Sequence, residues 1–168
     1  GENWHVFQGF LRQVDELNVD PDANMTDILF VMDNSGSMAR EQEQMSERFH
    51  KFIKQLRGLD WQIGITTTDS NTNSHAKWAD GKLVQFPNED YILKSDMGET
   101  LAEELFSQTI KRDENGSNTE MGIHTTYRSI ERTMDPNSDF NHLQSKFFRE
   151  NAALAVVVVS DEDENGNE

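Results

Sequence analysis

The sequence predicts an α/β domain built on a mostly parallel sheet, with an antiparallel edge strand and helices on both faces. Three observations predict it. Ile28 to Met32 and Ala152 to Val159 are short, unbroken apolar runs, the pattern of strands buried on both faces of a parallel sheet. Trp61 to Thr68 alternates, with Trp61, Ile63 and Ile65 on one side. Between these runs lie segments whose apolar residues recur at helical spacing, and strands alternating with helices build a sheet covered by helices on both sides.

Residues 1–25 read as an N-terminal extension and residues 26–168 as the domain. In the extension Phe7, Phe10, Leu11, Val14 and Leu17 fit a helix better than a strand, so the segment is expected to be helical or irregular. The first core strand, Ile28 to Met32, runs into Asn34-Ser35-Gly36-Ser37, which breaks the pattern. A helix follows, marked by Met45, Phe49, Phe52, Ile53 and Leu56 and stopped at Gly58. After the Trp61 to Thr68 strand, the Asn, Ser and Thr-rich stretch Ser70 to His75 is a solvated loop. Asp80-Gly81 is a turn signal ahead of an edge hairpin strand at Leu83 to Phe86. Leu101, Leu105 and Phe106 mark a helix over Glu99 to Ile110. Ile123, Tyr127, Ile130 and Met134 mark another over Thr119 to Met134, which Asp135-Pro136-Asn137 ends. Phe140 to Arg149 is a short extra helix, and the valine-rich run Ala152 to Val159 closes the series as a strand.

At 168 residues the chain has the length of one domain, enough to bury roughly 70% of the surface its unfolded form exposes. Its 15 Lys and Arg against 31 Asp and Glu leave a net charge of −16, which argues against nucleic-acid binding, because phosphate contacts need cations to displace counterions. With no cysteine, disulfide scaffolds, thiolate zinc sites and cysteine nucleophiles are excluded. The longest apolar run is far short of the roughly 20 residues that span a bilayer, so no membrane span is expected. The first residue is Gly and no signal-like segment follows it, which reads as a chain whose start has been processed or trimmed.

Ligands collect at the carboxyl ends of strands in such sheets, so the residues just beyond each strand carry the chemistry. The first core strand ends in Asp33-Asn34-Ser35-Gly36-Ser37, a carboxylate and two hydroxyls on alternate positions around a glycine. The last strand ends in Ser160-Asp161, and the loop Gly116-Ser117-Asn118-Thr119 offers further hydroxyls before a helix. An oxygen-only donor set suits a hard divalent cation such as Mg²⁺. When neutral hydroxyls and water fill most positions, the ion stays electrophilic and can take a carboxylate from another molecule. Each part has a bland reading as well: Asp33, Ser37, Ser117 and Thr119 are all residue types that cap helices.

This ordered set resembles the metal-ion-dependent adhesion site (MIDAS) of the von Willebrand factor type A (vWA) domain, the Rossmann-like fold shared with integrin I domains. The resemblance covers Thr26 to about Asp161 and is carried most specifically by Asp33-Asn34-Ser35-Gly36-Ser37-Met38. It implies that Ser35, Ser37 and Ser117 bind a metal directly, with Thr119 in the second hydroxyl position of its loop. Asp33 and Asp161 would bind directly or through water. The family carries threonine where this chain has Ser117 and glycine where it has Glu162. The implied function is a protein-binding or adhesion module that engages an Asp or Glu of its partner through Mg²⁺, Ca²⁺ or Mn²⁺, with no catalysis. The wording Asp-Ile-Leu-Phe-Val-Met-Asp, Ile-Gly-Ile-Thr-Thr-Thr-Asp and Val-Val-Val-Val-Ser-Asp-Glu-Asp looks most like exported bacterial members, which implies a periplasmic, cell-surface or secreted protein. The family sheet continues past the strand that holds Asp161, implying that its C-terminal strands and helices are missing or supplied by a second chain or cleaved segment, or that residues 1–26 cover the edge.

Asp161 to Gly166 also matches the opening of a calcium loop, though a solvated acidic tail is the favoured reading. A phosphatase resembling the haloacid dehalogenases would use Asp33 as nucleophile, but it wants a second Asp where this chain has Ser35. The five histidines form no metal spacing, and no nucleophile elbow or phosphate loop is present. A docking subunit of an intracellular ATPase or chelatase-type assembly would use the same motif. The acidic balance implies a basic surround on any partner and binding that weakens as salt rises.

Overall fold

In the computed structural model, residues 4–7, 10–13, 24–35, 38–70, 77–111 and 121–160 are described. The elements in chain order are β1 (Trp4–Phe7), β2 (Phe10–Gln13), β3 (Met25–Met32), α1 (Ala39–Gln55), β4 (Asp60–Thr67), β5 (Leu93–Lys94), α2 (Glu99–Ile110), α3 (Gly122–Met134), α4 (Asn141–Gln144) and β6 (Ala153–Val159). They form an α/β fold around a four-stranded mixed sheet of order β5-β4-β3-β6. Here β3 pairs in parallel with both β4 and β6, and β5 joins β4 antiparallel. Among the described residues no helix is long and apolar enough to cross a membrane.

Because side chains alternate across a strand, β3 serves two cores. Ile28, Phe30 and Met32 point to the layer of α1 and α2, where they meet Phe49, Ile53, Ala102, Leu105 and Phe106. The rings of Phe49 and Phe106 stack at 3.6 Å, and Phe30 meets both edge-on, so aromatic geometry locks the two helices to the sheet. Leu29 and Val31 face the other layer with Leu83 and Phe147. In β4, Gly64 leaves the space that Leu83 and Phe147 fill; a Cβ there would meet both at 3.0 Å.

The opposite end of the sheet is held by Arg149. Its backbone N–H and Nε donate to the two carboxylate oxygens of Asp27, at 2.6 and 2.8 Å, and its Nη1 donates to Asp60 at 2.8 Å. Burial raises the Asp27 carboxyl above its ordinary range despite this arginine. The carboxyl edge of the sheet, where Asp33 lies, is built differently.

Several expectations are corrected. Over the described residues of the N-terminal segment, 4–7 and 10–13, the chain forms an antiparallel pair, β1 with β2, rather than the helical or irregular segment expected. Leu83 to Phe86 is not a strand. The Asp80-Gly81 turn forms, with both residues at positive φ, but the Leu83 amide donates to the Gln144 side chain, and the edge of β4 is paired by Leu93–Lys94 instead. The extra helix is only Asn141–Gln144. Leu101 lies exposed, while Ala102, Leu105, Phe106 and Ile110 make the buried face of α2.

The largest correction concerns α3. Its apolar stripe faces outward, with Ile123, Tyr127 and Met134 between 63% and 72% exposed, and its buried face is Thr125, Ser129, Arg132 and Thr133. The physical cause is a clasp from the Asp80-Gly81 turn. Arg128 donates to both Asp80 carboxylate oxygens, at 2.9 and 3.0 Å, while buried Arg132 bonds the Asp80 carboxylate and carbonyl and pairs with Asp139. Gly81 approaches α3 so closely that a Cβ would lie 2.3 Å from the Ser129 nitrogen. On the same side of the sheet, alternate residues Leu154, Val156 and Val158 of β6 are 40% to 50% exposed. Among the described residues β6 has no strand on its outer side, so a strand with the composition of a sheet interior occupies an edge.

Candidate metal site

The site is built where β3, β4 and β6 end. The β3–β6 register closes at Met32 opposite Val159, and the ladder runs on because the Asp33 amide donates to the Val159 carbonyl at 2.9 Å. This sets Asp33 beside Ser160, the neighbour relation that the sequence reading requires. On the other side the Thr68 amide donates to the Met32 carbonyl at 3.1 Å, so the exit of β4 lies beside the exit of β3.

The Asp33 carboxylate is fully buried. One oxygen accepts the Ser35 backbone N–H at 2.8 Å and the other accepts the Ser160 hydroxyl at 2.7 Å. The first bond turns the chain directly after β3, as an aspartate two residues ahead of an amide commonly does. From α1, Gln42 donates its amide to the Asp33 carbonyl at 3.3 Å and fixes the loop to the helix. Asp33 thus receives two neutral donors. Two other buried acids are treated differently: Asp27 is held by Arg149, and Asp80 by Arg128 and Arg132. A buried carboxylate is stable only when its charge is compensated, and among the described residues no lysine or arginine pairs with Asp33.

A second irregularity lies next to it. Asn34 is only 6% exposed, and its side-chain oxygen has no hydrogen-bond partner. Buried polar atoms are nearly always satisfied, so an orphaned acceptor beside an arginine-free carboxylate fits a cation position. The donor chemistry agrees, since carboxylate, hydroxyl and amide oxygens are the ligands of hard divalent ions. Among the described residues no three His, Cys, Asp or Glu side chains gather to hold an ion, and the set here mixes carboxylate with neutral oxygens.

Of the residues expected to bind metal, Asp33 and Ser35 stand together at this strand end. Ser37, Ser117, Thr119 and Asp161 lie outside the described residues, as does the calcium-loop match Asp161 to Gly166. Sequence reasoning missed Ser160 as the partner of Asp33 and Gln42 as the brace of its loop. Only strand pairing across 127 residues reveals the first. A hollow of about 530 Å³ at the β5 edge, lined by Tyr91, Lys94, His142 and Lys146 among others, includes none of the strand-end residues.

Comparison with protein-family models, with curated proteins and with solved structures finds no match.

Proposed function

We propose that the chain is a vWA-type domain whose metal-ion-dependent adhesion site binds an acidic side chain of a protein partner through a divalent cation, Mg²⁺ or else Ca²⁺ or Mn²⁺. The observation that carries this reading is Asp33: a fully buried carboxylate at the junction of two parallel strands, compensated by a hydroxyl and an amide where the buried Asp27 and Asp80 have arginine. Asp33, Ser35, Ser37, Ser117, Thr119 and Asp161 would hold the ion. The cation, when bound, supplies an electrophilic position that a carboxylate can enter.

The chain's own residues do the rest. Ser160 and the Ser35 amide orient the Asp33 carboxylate, and Gln42 ties its loop to α1. The role is binding, not catalysis, in an exported protein. The partner offers one exposed Asp or Glu within a basic surround that offsets the chain's net charge of −16.

Titration with MgCl₂, MnCl₂ and CaCl₂, followed by binding to immobilised peptides bearing a single Glu among lysines, tests this. Wild type is expected to bind a divalent ion saturably and to retain the peptides in Mg²⁺ but not in chelator, with retention weakening as salt rises. Asp33→Ala should lose both properties while keeping its helical and sheet signal. Metal binding unchanged in that variant, or peptide binding indifferent to chelator, would sink the reading.

A further inference from the structure

We infer that the free edge of β6 is the docking site of the chain's own N-terminal strand pair: β2 lies antiparallel against β6 and joins the two sheets into one, of order β5-β4-β3-β6-β2-β1. This docking is independent of the metal site. No residue of β6, Ala153 to Val159, is buried, although its neighbour β3 is buried from Asp27 to Met32. Both faces share the exposure. Ala153 and Ala155 are exposed on the side of α1, and Leu154, Val156 and Val158 on the side of α3. A missing helix layer bares one face of a strand, whereas a missing neighbour strand bares both.

The backbone makes the same demand. The Val159 carbonyl accepts the Asp33 amide, so the peptide groups of Ala155, Val157 and Val159 turn toward β3. Alternation turns those of Leu154, Val156 and Val158 outward, where none of the described strands pairs with them.

The β1–β2 pair is the matching half. A two-stranded sheet alone is marginal in water, and β1 and β2 pair only with each other among the described residues. Phe10 and Leu11 are consecutive in β2 and so belong to opposite faces, which gives each exposed side of β6 an apolar cross-strand neighbour.

Reach and direction agree. Strands β3 and β6 start at the same end of the sheet, with Thr26 opposite Ala153. Eleven residues separate Gln13 from Met25. They can span roughly 35 Å, whereas the position beyond β6 is two strand spacings, about 10 Å, from β3. With β2 antiparallel to β6, Gln13 arrives at the end where β3 begins, and the connection passes only β6. A parallel β2 would leave Gln13 at the Asp33 end and require a crossover of about a dozen residues or more.

Charge selects this occupant over a second copy of the chain. Residues 3–14 contain one arginine and no acid, whereas a second copy would bring its own net charge of −16 to the seam.

Amide hydrogen exchange of the full chain, followed by NMR, tests this. In wild type the Leu154, Val156 and Val158 amides are expected to exchange at least about 100-fold more slowly than unstructured amides, at a rate independent of protein concentration. Unprotected exchange at these three, with Ala155, Val157 and Val159 slow, overturns the inference. Protection that grows with protein concentration also overturns it, because a second copy then holds the edge. The double variant Leu11→Pro/Arg12→Pro removes two consecutive amides of β2, one of which faces β6. It should return the three outward amides to fast exchange and leave the inward three protected; unchanged protection means another segment occupies the edge and overturns the assignment. Hα–Hα nuclear Overhauser contacts between β2 and β6 in wild type need no variant: their presence supports the antiparallel pair, and their absence overturns it.

Discussion

Arg132→Leu is expected to destabilise the fold by about 3–5 kcal/mol, the cost of removing one partner from a buried ion pair. Arg132 is among the most buried charged residues on α3, and it is bonded to the Asp80 carboxylate, the Asp80 carbonyl and Asp139. Leucine fills similar volume but leaves the Asp80 carboxylate with Arg128 alone and its carbonyl without the guanidinium. Chemical denaturation of wild type and variant measures the difference; a loss under about 1 kcal/mol, the range of exposed pairs, would mean the clasp is no more than a surface pair.

The same clasp shapes the acid limb of stability. Burial alone would raise the Asp80 carboxyl, but hydrogen bonds from Arg128 and Arg132 hold it below its ordinary value. A depressed carboxyl contributes stability that is present above its unfolded pKa and lost as pH falls through the lower folded value. Asp27 has the opposite sign. Its carboxyl is raised, so its contribution is complete below its unfolded pKa and is lost as pH rises through the folded value. Subtracting the pH profile of Arg132→Leu from that of wild type cancels Asp27 and leaves the carboxylates that Arg132 holds, Asp80 and Asp139. The difference should shrink as pH drops below about 4.

Asp33→Asn is expected to reverse its effect on stability with the metal. In chelator the variant should be at least as stable as wild type. Its amide oxygen can still accept the Ser35 N–H, the amide nitrogen can donate to the Ser160 hydroxyl, and a buried charge is gone. In a divalent salt at a hundred times its dissociation constant, wild type should gain about 2.7 kcal/mol, and the variant should gain nothing. Melting curves in EDTA and in MnCl₂ distinguish the two conditions. A variant less stable than wild type in chelator, with equal gains in MnCl₂, would make Asp33 a structural turn residue.

Much of the fold was legible in the sequence because its signals are local. The apolar runs at Ile28 to Met32 and Ala152 to Val159, the alternation from Trp61, and the helical spacing of Phe49, Ile53, Leu105 and Phe106 each report an environment that neighbouring residues share. The motif from Asp33 to Ser37 was legible for the same reason, since it needs only a strand and a turn. Leu83 to Phe86 misled because a turn signal specifies the turn and not the partner beyond it: Gln144, sixty-one residues away in sequence, takes the Leu83 amide.

What the sequence by itself determined, then, is the order and type of the core elements, the acidic balance that disfavours nucleic acid, and the presence of a carboxylate and hydroxyls after the first core strand. Only the tertiary structure decided that Ser160 meets Asp33 and that α3 buries its polar face. These depend on pairings and ion clasps between residues far apart in the chain. For α3, hydrophobic spacing predicts the buried face when water is the alternative, but two arginines bound to one buried carboxylate, with Gly81 pressed against the Ser129 backbone, outweigh the exposure of Ile123, Tyr127 and Met134.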